Sequence, residues 1–405
     1  MRILLSFTAL MLSVALLQLS SGAIAPLDAL SGLQEGFTTT EVGALGSAHF
    51  GGFFLGCWWA PRLMGRVGHS RAFAAFAALG AIGALAHPLL ISPPAWAAMR
   101  VMTGLCIAGC YTIIEAWLQA KLTNTTRGRV LGAYRFVDLG ASMVAQLMIG
   151  FLTPASYVSY NLLAILCCAS LLPLMLTKAS PPVIPTAPRL RPLTALRLSP
   201  LGAAGVIVAG ITTPAFRMVG PVYGQEVGLA ANQIGLFLAA AVLGGALAQL
   251  PTGWLADRYD RRHVLIAASA LACGVCAWLG TASAQSEALI FAGSFAFGLT
   301  TFPVFSISAA HASDFAEPDE MVELSAALMF LYGAGAIVSP LLASRLIEAY
   351  GPPALFLMIT AAHIGLIAFG LARMRSRKTA KERTAYRYTP RTSFTLGRLL
   401  RRDKR

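Results

Sequence analysis

Apolar runs of about twenty residues recur along this chain, and short loops carrying arginine separate them. Roughly 20 residues of helix cross a bilayer core, so each run is a candidate span. The clearest pair, residues 232–251 and 264–282, flanks the stretch Gly253, Trp254, Leu255, Ala256, Asp257, Arg258, Tyr259, Asp260, Arg261 and Arg262. A short loop with this charge between two spans must lie at a membrane surface, and short loops rich in lysine and arginine stay on the cytoplasmic side. Of the 405 residues, 57% are hydrophobic and 12% charged. Soluble domains carry about 25% charged residues, so the expectation is an all-α integral membrane protein.

The net charge of +14 could suggest nucleic acid, but its placement argues otherwise. After Ala372 the chain has thirteen basic residues against Glu382 and Asp403, a net +11 in the tail alone. The other basic residues sit mostly in short loops. Topology control and attraction to anionic lipid account for this pattern. The seven cysteines (Cys57, Cys106, Cys110, Cys167, Cys168, Cys273 and Cys276) fall inside apolar runs, where thiols act as small hydrophobes. No disulfide framework, metal site or cofactor is expected. Residues 3–24 could be read as a cleavable signal peptide. The run is long for that purpose, and its removal would break the symmetry described next.

Twelve helices are expected near 3–24, 40–60, 72–91, 95–117, 129–152, 157–177, 200–219, 231–252, 264–283, 286–310, 322–346 and 353–373. They give a bundle over 1–177, a proline-rich linker over 178–199 with Arg189, Arg191 and Arg197, a second bundle over 200–374, and a basic tail over 375–405. Arg62, Arg66 and Arg71, then Lys121, Arg127 and Arg129, share one expected side with the linker, the Arg258 loop and the tail. The opposite loops carry Asp28, Glu35, Glu41, Glu226 and Glu287, so both termini are expected to be cytoplasmic. The acidic loop expected over 311–323 is the exception on the cytoplasmic side. The halves repeat: the Leu63–Gly68 stretch precedes Leu255–Asp260 by 192 positions, and Gly104 precedes Gly298 by 194.

The Gly253–Arg262 stretch resembles the loop signature of the major facilitator superfamily, with Asp260 where that family usually has glycine. The first copy keeps Gly68 but has Gly65 in place of the aspartate. Arg100 to Gly104, on through Ala108 and Gly109, is similar to the superfamily's fourth-helix signature. The segments Glu115–Leu118, Arg127–Leu131 and Pro221–Tyr223, with Gly244 to Pro251, resemble its bacterial YcaD-type branch. The resemblance implies two six-helix bundles related by an axis along the membrane normal, with a substrate site near mid-membrane. It implies a monomer in the bacterial inner membrane. It gives a mechanism class but no cargo.

Ionisable groups inside a membrane are costly and usually functional or paired. Arg100 occupies the position the resemblance ties to substrate or proton handling; snorkelling to the headgroups is the alternative. Glu115 could pair with an arginine of helix five to close an inner gate, or form a structural salt bridge. Asp138 is expected near mid-membrane, with Arg135 one turn away, as a proton- or substrate-coupling group. Arg217 could bind an anionic group on cargo, with snorkelling as its rival. Gln18 and Gln146 are cavity candidates, whereas His49, His87, Asn161 and His363 read as interhelical hydrogen bonders. In the loops, Gly253, Asp257, Arg258, Arg261 and Arg262, with Arg66, Gly68 and Arg71, are the gating candidates. Asp257 is expected to clasp the two halves together.

These residues predict a secondary transporter of a small organic solute, working by alternating access and linked to protons. The chain has no phosphate-binding Gly-x-x-x-x-Gly-Lys-Ser/Thr motif to couple it to ATP. The fifth helix lacks the glycine-proline signature of the superfamily's antiporters, which lowers proton-driven drug export. The alternatives are a non-transporting sensor or scaffold that uses its basic tail, or a lipid flippase. An enzyme is not expected, because no nucleophile, base and orienting group occur at recognisable spacing.

Overall fold

The computed structural model describes residues 7–122, 127–176, 191–281, 286–317 and 320–376, together with Thr384 and Tyr386. Twelve helical spans run through them, and no strand occurs among the described residues. The first six are α1 (Thr8–Gln34), α2 (Thr39–Val67), α3 (His69–Ala86), α4 (Pro93–Lys121), α5 (Arg127–Leu147) and α6 (Tyr157–Ala169, continued by Leu171–Met175). The last six are α7 (Pro200–Glu226), α8 (Ala231–Arg258), α9 (Arg261–Gly280), α10 (Glu287–Thr301, continued by Pro303–Ser313), α11 (Met321–Tyr350) and α12 (Ala354–Ser376). Each set of six packs as its own compact unit. Ten spans are long and apolar enough to cross a bilayer. The other two are α2, diluted by glycine and tryptophan, and α5, which carries Arg127, Arg129, Arg135 and Asp138. Even α5, with 21 residues, is about 30 Å long at 1.5 Å per residue.

Several helices outrun the ends their sequences suggest. The first was expected to stop near residue 24, with Asp28 in a loop. Instead α1 continues through Pro26 and Asp28 to Gln34. Proline is tolerated inside membrane helices where neighbours satisfy the freed groups, and the charge of Asp28 meets partners within its own bundle. The seventh helix was expected to end near 219 but α7 runs through Pro214 and Pro221 to Glu226. Arg217 therefore lies nine residues inside the helix, not at its tip. Residues Gly253 to Arg258, expected in a loop, form the end of α8, and only Tyr259 and Asp260 link it to α9. The acidic loop after the tenth helix starts later than expected, because α10 continues to Ser313 and holds His311.

The sequence repeat reappears as repeated local chemistry. α1 ends at Gly36, whose φ of 85° is a left-handed conformation that favours glycine. There Phe37 N–H donates to the Gly32 carbonyl at 2.8 Å and Gly36 N–H to Leu33 at 3.2 Å. α7 ends in the same motif at Gly228, with Leu229 donating to Gly224 at 2.9 Å and Gly228 to Gln225 at 3.0 Å. The next helix starts also correspond. Thr38 N–H donates to Glu41 Oε2 at 2.8 Å, and Ala230 N–H to Gln233 Oε1 at 2.7 Å, so a side chain three residues on caps each helix.

Packing follows the same repeat. Within the first unit the closest partnerships are α2 with α4 and α3 with α4, followed by α1 with α5 and α3 with α6. Within the second they are α8 with α10, α7 with α11 and α9 with α12. The α2–α4 and α8–α10 pairs approach through glycine. A Cβ on Gly52 would overlap the Val101 carbonyl and one on Gly104 the His49 carbonyl. A Cβ on Gly244 would overlap the Phe295 carbonyl and one on Gly298 the Ala241 carbonyl. Small residues permit this close backbone approach where no hydrophobic force draws helices together.

Candidate functional site

The polar residues gather at three places, two in the first unit and one in the second. Asp28 is 2% exposed, six residues before the end of α1. Arg100 Nε of α4 lies 3.5 Å from Asp28 Oδ2, and Arg100 is 1% exposed. His87 Nε2 stands 3.4 Å from the same oxygen, while Tyr160 of α6 donates its hydroxyl to Asp28 Oδ1 at 3.0 Å. His87 Nδ1 lies 2.7 Å from the Gly83 carbonyl. A carbonyl only accepts, so Nδ1 carries hydrogen and Nε2 faces the carboxylate. Tyr160 stacks on the imidazole at 5.2 Å between centroids, and Trp96 closes its edge while donating to the His87 carbonyl at 3.0 Å. Asp28 thus meets an imidazole, a guanidinium and a phenol in one sealed cluster.

The second cluster is set deeper. Tyr111 of α4 donates to Gln18 of α1, and its hydroxyl also lies 3.2 Å from Asp138 Oδ1 on α5. Arg135 NH1 is 3.6 Å from Asp138 Oδ2, one turn earlier on the same helix. Gln146 donates to the Gly22 carbonyl at 3.0 Å. A side chain on Gly22 would press into Ala145 and reach the amides of Gln18 and Gln146. Glycine thus lets α1 and α5 bring Gln18, Gln146 and Asp138 onto one side of the bundle. Ten residues of α1 separate Gln18 from Asp28, about 15 Å along its axis.

The third cluster joins α8, α9 and α10 at the end bearing the basic loops. Arg261 is its hub and is 1% exposed. It donates to Asp314 Oδ1 at 2.7 Å, the Ala310 carbonyl at 2.8 Å, the Ala256 carbonyl at 3.2 Å and Asp257 Oδ1 at 3.3 Å. Burial lifts the Asp314 pKa above the ordinary aspartate value, against the opposing pull of Arg261 and of bonds from Thr384. Asp260, the departure from the family glycine, has a φ of −63° and needs no glycine. It is the N-cap of α9: its carboxylate accepts from Arg262 N–H at 3.0 Å and grips that guanidinium at 2.7 Å. Burial raises its pKa, but the bonds from Arg262 and the charges of Arg262 and His263 outweigh that and the net shift is downward. In the first unit the matching Gly68 has a φ of 83° and cannot be replaced so freely.

Arg100 is sealed against Asp28 instead of reaching the headgroups, the alternative raised for it. Arg135, expected one turn from Asp138, pairs with it at 3.6 Å. Asp314 in the acidic loop after the tenth helix pairs with Arg261. Glu115 is buried on α4 and Arg217 half-buried on α7. Arg258 lies over the Trp254 ring at 5.5 Å, while Arg66 and Arg71 are exposed. The side chains of Lys121 and Arg127 lie outside the described residues, as do Lys178 to Leu190. Sequence reasoning missed Asp28, Tyr111, Tyr160 and Asp314 and undervalued His87. For Asp28 the signal was available: an acid only four residues beyond the apolar run expected over 3–24.

The sequence profile of the Major Facilitator Superfamily matches residues 201–405. An MFS-type transporter of Enterobacter sp. (strain 638) is 29% identical over 368 residues, covering 89% of this chain and 94% of the relative. The MFS-type transporter YcaD of Salmonella heidelberg (strain SL476) is 30% identical over 349 residues, covering 83% and 88% respectively. The chain belongs to the major facilitator superfamily. The superfamily fold is evident in solved structures too. The nucleoside transporter NupG superposes with a TM-score of 0.76 at 15% identity, over 93% of this chain and all of that one. A D-xylose-proton symporter does so with a TM-score of 0.69 at 14% identity, over 94% and 98%. As a superfamily member the chain is a multi-pass membrane protein of transporter type, and its signature stretch is the α8–α9 junction.

Proposed function

We propose that the chain is a secondary transporter of a small organic solute, driven by protons and working by alternating access between its two bundles. The observation that carries proton coupling is the Asp28–His87 pair, sealed from solvent beside Arg100. Ionisable groups buried in a membrane bundle mark proton pathways, and here a carboxylate meets an imidazole with Arg100 as the fixed countercharge. The Gln18, Tyr111, Asp138 and Gln146 group is the recognition surface, offering donors and acceptors to a polar solute in an otherwise apolar bundle. Arg217 of the second bundle supplies a cation for an anionic or zwitterionic cargo. The basic ends face the cytoplasm of a bacterial inner membrane, consistent with the retention of arginine-rich loops there. Asp257 clasps one bundle to the other in the outward-facing state.

The test is a competitive uptake and efflux screen in proteoliposomes, with and without an imposed pH gradient. Nucleosides and D-xylose, the cargoes named for NupG and the xylose symporter, belong in the first panel. Cargo movement is expected to follow the gradient in the wild type and to lose that dependence in Asp28→Asn while exchange of cargo persists. Gradient-driven movement that survives in Asp28→Asn would remove the pair from proton coupling.

A further inference from the structure

Gln249, Gly253 and Asp257 recur at intervals of four, which places them in one stripe along α8, and Arg261 at the start of α9 joins it through its bond to Asp257. Two residues of the C-terminal segment lie on that stripe. Thr384 N–H donates to Asp314 Oδ1 at 2.8 Å, and its hydroxyl reaches the same oxygen at 2.9 Å. The Thr384 carbonyl accepts from Arg261 NH2. Tyr386 N–H donates to Asp257 Oδ1 at 2.7 Å, and its hydroxyl to Gln249 Oε1 at 3.3 Å. Its ring occupies the space above Gly253, where a Cβ would stand 2.8 Å from Cδ1. Residues two apart face the same way in an extended chain. Thr384 and Tyr386 are thus placed along α8 in the direction opposite to its own, each offering its amide to a carboxylate.

We propose that the stripe is a docking groove for the chain's own C-terminal segment, and that the docked segment is an inhibitory strap. The groove supplies the acids Asp257 and Asp314, and the tail supplies backbone donors within a strongly basic sequence. Seven basic residues and one acid follow Tyr386. Asp257 Oδ1 is filled by Tyr386 N–H, and the same carboxylate is the proposed clasp between bundles. The inhibitory role rests on that clasp reading. Strap and clasp compete for one acceptor, and the conformational cycle proceeds when the strap leaves. A surface of anionic lipid draws polybasic segments to itself, which makes it the releasing agent.

The experiment uses the full chain in phosphatidylcholine vesicles, with and without phosphatidylglycerol. Hydrogen exchange first reads the docking. The amides of Thr384 and Tyr386 are expected to be protected in phosphatidylcholine, and to lose protection in Asp314→Asn and when phosphatidylglycerol is added. Unprotected amides in phosphatidylcholine overturn the groove. Spin labels at Ser70→Cys and His263→Cys, on a background without Cys168 and Cys273, then read the spacing between the bundles. Tyr386→Pro, which deletes the donor to Asp257, and removal of residues 377–405 are expected to shift the populations about threefold or more, as phosphatidylglycerol does for the full chain. Identical populations in all three overturn the strap, and a full chain indifferent to phosphatidylglycerol overturns its release by lipid. Asp257→Asn in the shortened chain separates the two readings. If it leaves the spacing unchanged, the clasp falls and the inhibitory role with it, whereas docking stands or falls on exchange alone.

Discussion

Arg100 and Asp28 set the cost of a single wrong residue. Both are sealed from solvent, so removing one leaves the other as an uncompensated buried charge, which costs about 3–5 kcal/mol. Arg100→Met alone is expected to lower the melting temperature in detergent sharply, and the pair Arg100→Met with Asp28→Leu to recover most of that loss. A double variant no better than the single one would show that the pair is not coupled. Asp260 gives a pH signature. Its pKa is depressed in the folded chain, so its contribution is complete above the ordinary aspartate range, shrinks as pH falls through it, and is gone below the folded-state value. Losing this cap in Asp260→Ala is expected to cost about 1 kcal/mol near neutral pH, with the gap between the two melting curves closing in acid. A gap independent of pH would assign the effect to packing alone. The cap was only partly legible beforehand. Asp260 stood out as a departure from glycine, but its negative φ and its hold on Arg262 are properties of three dimensions.

At the scale of helices, apolar runs located all twelve spans, because a bilayer demands about the same length from each. Their ends were less legible. The first and seventh helices were expected to end before Pro26 and Pro221, yet α1 and α7 pass through them. The neighbours that make this tolerable are distant in sequence. Long-range polar partners were hidden for the same reason: Asp28 and Tyr160 are 132 positions apart. The glycine contacts were visible only as spacing, since Gly104 and Gly298 reveal a repeat without revealing what they touch. Their removal has a clear expectation. Gly52→Val and Gly244→Val force a branched side chain into a facing carbonyl, whereas Gly51→Val and Gly274→Val enter open space. Overpacking of this kind costs at least about 1–3 kcal/mol. The first two variants should fall in folded yield and melting temperature while the other two hold. Equal behaviour in all four would mean that the helix pairs part easily.

For the whole molecule, the repeat copies architecture without copying chemistry. Asp28 has Gly220 as its counterpart 192 positions on, and Arg100 has Ser294 at 194. Where the first unit buries charge, the second stacks Phe216 on Phe297 at 4.4 Å and sets Tyr223 against Phe356 at 4.8 Å. Such a division leaves a buried ion pair in the first unit and an aromatic stack in the second. Asp257→Asn and Arg258→Ala are expected to slow movement of whichever cargo the screen identifies, with membrane abundance near normal. Undiminished transport by both would end the gating role. The seat of Tyr386 against Gly253 has a practical side as well. A fluorescent reporter fused behind Arg405 would burden the segment that rests there, so activity recorded with such a fusion would differ from that of a chain carrying its handle at the amino end.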